Sequence, residues 1–388
     1  MRVAFVCQNF NLRGGVSRDA YLFARHLIEL GADVHVYGNA QTSTPTAGVT
    51  FHGVPTRRLF GSERLGPTSE HGLFAYRATQ AIRRRRRDYD VVYVTGAEAW
   101  EQDAVRVHAV VKAENRRWPE RGGRHFKAAR ARARLGLLTR PQNMLERSIQ
   151  RHQFRDRRFR RLVAVTEEVR DDLCTMYRVS AADIDVLPCP IDLEAIRAAP
   201  QAGVRSSFGL EVDDVILLFL GNDFYRKGLD ESVRVLAHLP PNTHLVVVGS
   251  GDTSAYARLS EQLGVAARVH FAGATETPEG FVKDADVLFL PTREDVWGIA
   301  LVEAMAAGVP VVTSAAAGAS SVVREAGAGV VVDDYATRAF VEALRAVVTD
   351  PDQRHSLGAR GPAGAAVFDA RRLAPRLVST LERAAHDA

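Results

Sequence analysis

Two doubly wound α/β units, each built on a parallel sheet, are what this sequence predicts, and three observations carry that reading. At 388 residues the chain exceeds what one ordinary core supports and suits two. Short apolar runs of strand length alternate with helical stretches, which argues for parallel sheets wrapped by helices. That rhythm runs once to Ile184–Ile191 (IDVLPCPI), whose prolines and following Asp192 mark an exit into a linker, and then starts again.

In the first half, Arg2–Cys7 reads as a strand, Gln8–Val16 as a loop, and Ser17 to about Leu30 as an amphipathic helix. Val34 and Val36, stopped by Gly38, form the next strand, and further strands fall at Val49–Val54, Val91–Gly96 and Leu162–Val165. In the second half, Val215–Leu220 is a strand, Gly221–Gly228 a loop and Leu229–Leu239 a helix. Strands follow at Leu245–Val248, Arg268–Ala272, Ala285–Leu290, Val309–Thr313 and Gly329–Val332. The boundaries expected are 1–192 and 193–366, with 367–388 a helical tail returning to the N-terminal domain. Two such units leave a cleft between them, and ligands of open parallel sheets sit beyond the carboxyl ends of the strands.

Composition excludes more than it assigns. Apolar residues make up 46% and charged residues 25%, the globular norm, so fibrous and disordered classes drop out. No apolar run approaches the ~18–20 residues of a membrane span. The first residues enter a strand directly, without the pattern of a secretion signal. Cys7, Cys174 and Cys189 form no CxxC pair. A cytoplasmic, reducing location without a zinc site is expected. Among the basic residues only four are lysines, Lys112, Lys127, Lys227 and Lys283. Arginine clusters at Arg83–Arg87 and through Arg116–Arg161. Solvated helix faces are the ordinary explanation, and the alternative is a surface for a nucleotide, an anionic acceptor or the inner face of a membrane. No signature of nucleic-acid binding accompanies the charge.

Four loops that follow strands could carry chemistry. Gly14 and Gly15 precede a helix, where backbone amides favour anions, although an ordinary turn explains them equally. No GxGxxG is present, which counts against a dinucleotide dehydrogenase. In Gly221–Gly228 (GNDFYRKG), Arg226 and Lys227 stand together at what reads as a helix start. That is a poor place for cations unless a diphosphate comes there. Gly249-Ser250-Gly251 is a weak signal. The richest loop is PTREDVWGIALVEAMAAGVP, where Glu294 and Asp295 precede Gly298 and a helix carrying Glu303 among apolar neighbours. A lone carboxylate there needs a partner if buried, and the vicinal hydroxyls of a ribose would supply two donors. A surface glutamate on an amphipathic helix is the other reading.

These segments carry a resemblance. LLFLGNDFYRKGLDESVRVLAHLP, VVVGSGD, RVHFAG, DADVLFLPTREDVWGIALVEAMAAGVPVV and GAGVVV resemble the donor half of the retaining GT-B enzymes of glycosyltransferase family 4, particularly the glucosyltransferases of the lipopolysaccharide core. RVAFVCQNFNLRGGVSRDAYLFARHLIELGADVHVY, RRLVAVTEEVRDDL and VLPCPIDLEAI resemble the N-terminal half. Residues 55–150 match least. The resemblance implies that Glu303 holds the ribose and that Arg226 and Lys227 neutralise the diphosphate. The amides of Gly298, Ile299, Ala300 and Leu301 would bind phosphate or sugar oxygens. The loop Gly273–Glu276, with Ala274, would face the base, Gly249 would also bind the nucleotide-sugar, and Gly14 and Gly15 would approach the diphosphate from the N-terminal domain. Asp19, Asp103 and His108 would lie near the donor sugar or acceptor. The family pattern has glutamate eight positions before Glu303, where this chain has Asp295 with Glu294 beside it.

The mechanism so implied needs no cofactor and no metal, the donor being a nucleotide-sugar such as UDP-glucose or UDP-N-acetylglucosamine. The DxD spellings at Asp88–Asp90 and Asp183–Asp185 precede strands instead of following them. Arg226, Lys227 and helix amides would do the work of a cation. The acceptor would be a hydroxyl of a small molecule, antibiotic or glycolipid. Two rivals share the architecture, a nucleotide-sugar 2-epimerase and a non-catalytic nucleotide-sugar-binding partner.

Overall fold

A computed structural model describes residues 1–44, 46–56, 66–113 and 141–386; the first part of the second arginine run, 116–140, lies outside them. The chain divides into two compact units. One is Met1–Pro190 together with the stretch from Ala370, and the other is Ile191–Asp369.

The first unit holds a parallel sheet of β1 (Arg2–Val6), β2 (Asp33–Asn39), β3 (Thr50–Val54), β4 (Val91–Thr95), β5 (Ala104–Val107), β6 (Arg161–Ala164) and β7 (Ile184–Val186). Its order is β3-β2-β1-β4-β5-β6-β7. Side chains alternate along a strand, and here both faces are buried. Val3, Phe5, Val34, Val36, Val91 and Tyr93 pack against Phe23 and Leu27 of the helix Gly15–Glu29 and against Leu373, Leu377 and Leu381 of the helix Ala370–His386. Ala4, Val6, Val92 and Val94 face the other way, onto Phe74, Ala78 and Ile82 of the helix Gly66–Arg84. The terminal helix is also tied polarly to β7, where the Thr380 hydroxyl donates to Asp185 at 2.8 Å and Arg376 to the Val186 carbonyl at 2.8 Å.

Strand β5 was not among the strands read from the sequence. It is four residues long, and Arg106 interrupts its apolar run. The remaining strands fall within about two residues of expectation, the normal scatter of strand ends.

The second unit holds β8 (Val215–Leu220), β9 (Thr243–Val248), β10 (Val269–Gly273), β11 (Val287–Leu290), β12 (Val311–Ser314) and β13 (Gly329–Val332), all parallel and ordered β10-β9-β8-β11-β12-β13. Strand β8 is buried on both sides (Val215–Phe219), as a central parallel strand must be. From β8 the chain winds outward through β9 and β10, then returns to place β11 on the other side of β8. The loops after β8 and β11 therefore leave the sheet in opposite directions at its switch point, where a ligand crevice opens. They are two of the four loops singled out from the sequence, Gly221–Gly228 and the run from Pro291.

Candidate functional site

In the second unit, the loop after β8 ends in one turn of helix, Phe224–Lys227. Asp223 caps it by accepting from the Arg226 amide at 3.1 Å, and Gly228, at φ +83°, ends it. Arg226 and Lys227 thus close one turn and do not open a helix, correcting the sequence reading; the next helix begins only at Leu229. A helix end welcomes cations, so their position alone demands no anion. Glycine at 228 is also a steric necessity, since a Cβ there would stand 2.0 Å from the Pro291 carbonyl oxygen of the loop after β11.

That loop brings Asp295 to the cations. Its carboxylate accepts from the Lys227 ammonium and lies 3.7 Å from an Arg226 Nη1. The Asp295 amide and carbonyl are bonded to Ala316 and Gly318 of the loop after β12, at 3.1 and 2.8 Å, which fixes its backbone. Burial lowers Lys227 below its usual range; Asp295 opposes that shift and Arg226 adds to it. Burial also works against the Asp295 charge, but Lys227 and Arg226 hold the carboxyl below the ordinary carboxylate range. Two cations face one buried carboxylate. Asp223, the other acid near Arg226 at 3.3 Å, is largely solvated and so contributes little. Arg226 thus stands between the buried Asp295 and the solvated Asp223, and Lys227 is held by Asp295.

Beside it, Gly298 at φ +87° starts the helix Ile299–Ala306 with no side-chain cap and no acidic residue in the first turn. The Leu301 amide donates to the Gly298 carbonyl at 3.0 Å, and the amides ahead of it stand at a helix start, a position that favours anions. Ala300, Leu301 and Glu303 are buried, and Ile299 is partly so. Glu294 is buried next to Asp295, and its carbonyl accepts from Arg226 Nη1 at 2.9 Å. Gly249 follows β9 at φ +154°, and a Cβ there would meet the Gly221 carbonyl oxygen at 2.0 Å. Gly273 ends β10 at φ +76° with open space around it, and Ala274 follows. Every residue singled out in this unit therefore stands at the carboxyl end of the sheet or on the helix that starts there.

The first unit gathers its candidates differently. Asp19, 1% exposed on the helix after β1, is forked by Arg106 of β5, which is 0% exposed. Arg106 Nε and Nη2 reach the two carboxylate oxygens at 3.0 and 2.6 Å. Arg106 also donates to the Leu187 and Pro188 carbonyls, at 2.5 and 3.1 Å. His108, just past β5, places Nε2 3.1 Å from Asp19 Oδ2. Burial opposes the Asp19 charge, yet Arg106 and His108 hold its carboxyl down to about 2. An ionised Asp19 accepts, so Nε2 carries the imidazole proton. Asp19, His108 and Cys189 each bring a ligating atom within 4.8 Å of the others, but the guanidinium already occupies both carboxylate oxygens. Gly14, at φ +89°, and Gly15 stand exposed at the start of that helix.

Asp103 is not brought to this group. It precedes β5, at the opposite end of the sheet, where Arg86 forks it at 2.9 and 2.8 Å and the Val92 amide donates to it at 2.8 Å. It staples β4 to β5 and lies far from the strands' carboxyl ends. Sequence reading missed Arg106, although an arginine inside a strand-length apolar run is a signal of a buried partner. It also missed a polar ring at the β1–β4 switch point. There His71 Nδ1 meets Gln8 Oε1 at 2.7 Å, His71 Nε2 meets the Ala97 carbonyl at 3.1 Å, and the Gln8 amide donates to Glu98 at 2.8 Å. Burial is the main cause that pushes the Glu98 carboxyl up to about 8.

Comparison with known proteins agrees with this layout. Residues 203–363 match the family described as glycosyl transferases group 1, and residues 13–195 match glycosyltransferase family 4. A D-inositol 3-phosphate glycosyltransferase of Xylanimonas cellulosilytica is 33% identical over 220 residues, 53% of each chain. The lipopolysaccharide glucosyltransferase WaaG of Escherichia coli is 30% identical over 216 residues, 53% of this chain and 58% of that one. The chain thus spans about half the length of the curated relatives it matches. In fold it is similar to the crystal structure of WaaG, with a TM-score of 0.80 at 23% identity over 98% of this chain and 99% of that one. It is also similar to Anabaena Alr3699/HepE in complex with UDP-glucose, with a TM-score of 0.71 at 15% identity over 98% and 99%. Among the described residues, no helix is long and apolar enough to cross a membrane.

Proposed function

Because the chain belongs to the GT-B glycosyltransferases of family 4, we propose that it moves a sugar from a UDP-sugar to an acceptor hydroxyl, with retention at the anomeric carbon and without a metal. The observation that carries this reading is the gathering of Arg226 and Lys227 around the buried Asp295, beside the helix start at Gly298. A departing diphosphate is the anion such a site fits. In the reaction the bond from the anomeric carbon to the diphosphate oxygen breaks and its electrons stay on that oxygen. The acceptor oxygen bonds to the same face of the sugar, and its proton passes to the leaving diphosphate. Charge developing there is met by two fixed cations and the first amides of the helix, already in place before reaction.

Asp295 in this account holds a sugar hydroxyl, Glu303 the ribose hydroxyls, and the backbone around Gly249, Gly273 and Ala274 the base. Asp19 orients His108, whose Nδ1 is left to accept a proton or a hydrogen bond. UDP-glucose, present in the Anabaena complex, is the first donor to try. D-inositol 3-phosphate, from the relatives' name, is the first acceptor. The test is proton NMR of the product made in EDTA. The expected result is an anomeric coupling of the same class as the donor's at an undiminished rate. An inverted coupling, or a rate that returns only with added magnesium, defeats the proposal.

A further inference from the structure

We infer that Arg293, a residue to which nothing above gives a role, is the positioning residue for the diphosphate cations. It stands three residues past β11, 3% exposed, and grips the turn Phe224–Lys227 and the helix that follows it. Its Nη1 and Nη2 fork the Asp230 carboxylate at 2.8 Å each. Nη1 also donates to the Tyr225 carbonyl at 2.7 Å. Its own amide donates to the Arg226 carbonyl at 2.8 Å, which the Thr292 hydroxyl reaches as well at 3.1 Å. Its guanidinium lies 4.6 Å from the Tyr225 ring centroid and 5.4 Å from that of Tyr335, whose hydroxyl in turn donates to the Pro291 carbonyl at 2.7 Å.

The grip falls where the cations need it. The turn Phe224–Lys227 has four residues, too few to hold a helical conformation by itself. Two consecutive carbonyls, those of Tyr225 and Arg226, are held from outside by the loop after β11, and Lys227 is the next residue along. Asp295, the partner of Lys227, lies two residues beyond Arg293 on that same loop. One side chain therefore fixes the register between the two loops whose charges meet. Arginine suits this place because a planar fork can bind a carboxylate through one edge while the guanidinium stays close to two aromatic rings. Arg293 touches none of the groups assigned to substrate and acts through Arg226 and Lys227.

The inference rests on the diphosphate reading, and its test separates the two. Calorimetric titrations of UDP, GDP and ADP into the full chain establish which nucleotide binds; the matching nucleoside then isolates what the diphosphate adds. If uridine and UDP are the pair, Arg293→Lys should lose roughly tenfold in UDP affinity, the scale of one charge-assisted contact, with uridine affinity unchanged. Tyr225→Leu, at a ring that is 38% exposed and so no threat to the core, should lose about threefold in the same selective way. If Arg293→Lys fails to fold, Tyr225→Leu decides. An Arg293→Lys protein that melts like wild type and keeps the ratio of UDP to uridine affinity overturns the positioning role. So does an equal loss for nucleoside and nucleotide, which means general loosening. Failure of wild type to bind any of the three diphosphates removes the diphosphate reading itself, and the inference with it.

Discussion

Each unit buries an ion pair at the carboxyl end of its sheet, and the two pairs are built to opposite ends. In the first unit Asp19 and Arg106 satisfy one another, with the remaining guanidinium donors on the Leu187 and Pro188 carbonyls. Nothing is left over, and the pair serves to hold His108. In the second unit Asp295 is shared by Lys227 and Arg226, whose side chains stand at the end of a single turn. A closed pair gives rigidity, whereas an open one is a standing demand for an anion. Desolvating charge is costly in both places, so the difference predicts where a mutation strikes stability and where it strikes function.

The largest effect belongs to the closed pair. Arg106→Met leaves Asp19 buried without its counterion, and urea denaturation should show a loss of about 3–5 kcal/mol. A variant of near-native stability would mean that the first unit relaxes around the carboxylate and that its pair is not closed. The open pair should behave the other way. Lys227→Ala leaves Asp295 beside Arg226, so its midpoint in urea should stay close to wild type while turnover falls by ~10²–10³. Collapse of the fold in that variant would erase the contrast between the units.

Asp295→Ala sharpens the comparison further. It removes the proposed sugar contact but also takes a negative charge from beside Arg226 and Lys227, so transfer should drop about ten- to hundredfold while UDP itself binds at least as tightly. Weaker UDP binding would show that Asp295 organises Lys227 more than it opposes the ligand.

The smallest expected effect concerns what the units share. His35 and His52 in one, and His244 and His270 in the other, stack on neighbouring strands with ring nitrogens 2.9 and 3.0 Å apart. Burial first, then neighbouring cations, lowers His52; burial lowers His244 and His270. Histidines depressed in the folded state make the unfolded chain the stronger proton binder, so stability is held above about pH 6.5 and lost as pH falls through it. Melting temperature should decline below that point, and His244→Phe should flatten the decline more than His52→Phe, since both rings of its stacked pair are depressed. Equal flattening would contradict the assignment.

The second unit was more legible in the sequence than the first because its chemistry is written in contiguous text. The run from Pro291 to Pro310 carries the carboxylates Glu294 and Asp295, Gly298 at the helix start and Glu303 in one stretch, and GNDFYRKG carries both cations. What was hidden depends on partners far apart in the chain. Arg106 finds Asp19 and the Leu187 carbonyl, and Arg293 finds Tyr225, Asp230 and Tyr335; arginine read alone suggests a surface. Asp103 shows the converse error. A motif-like position was credited with chemistry, but an acid just ahead of a strand ends at the wrong edge of a parallel sheet. The cations read as the start of the helix that follows because the separate turn Phe224–Lys227 is only four residues long and leaves no periodic signal.

The central claim is that the protein's own cations, and no metal, hold the donor diphosphate in the second unit. Its most direct test is calorimetric titration of UDP into the full chain in EDTA, with magnesium added in a parallel run, for wild type and Lys227→Ala. The account predicts the same UDP affinity with and without the metal, and a loss of roughly tenfold or more in the variant. Binding that waits for magnesium, or a Lys227→Ala protein that binds UDP as tightly as wild type, would contradict it.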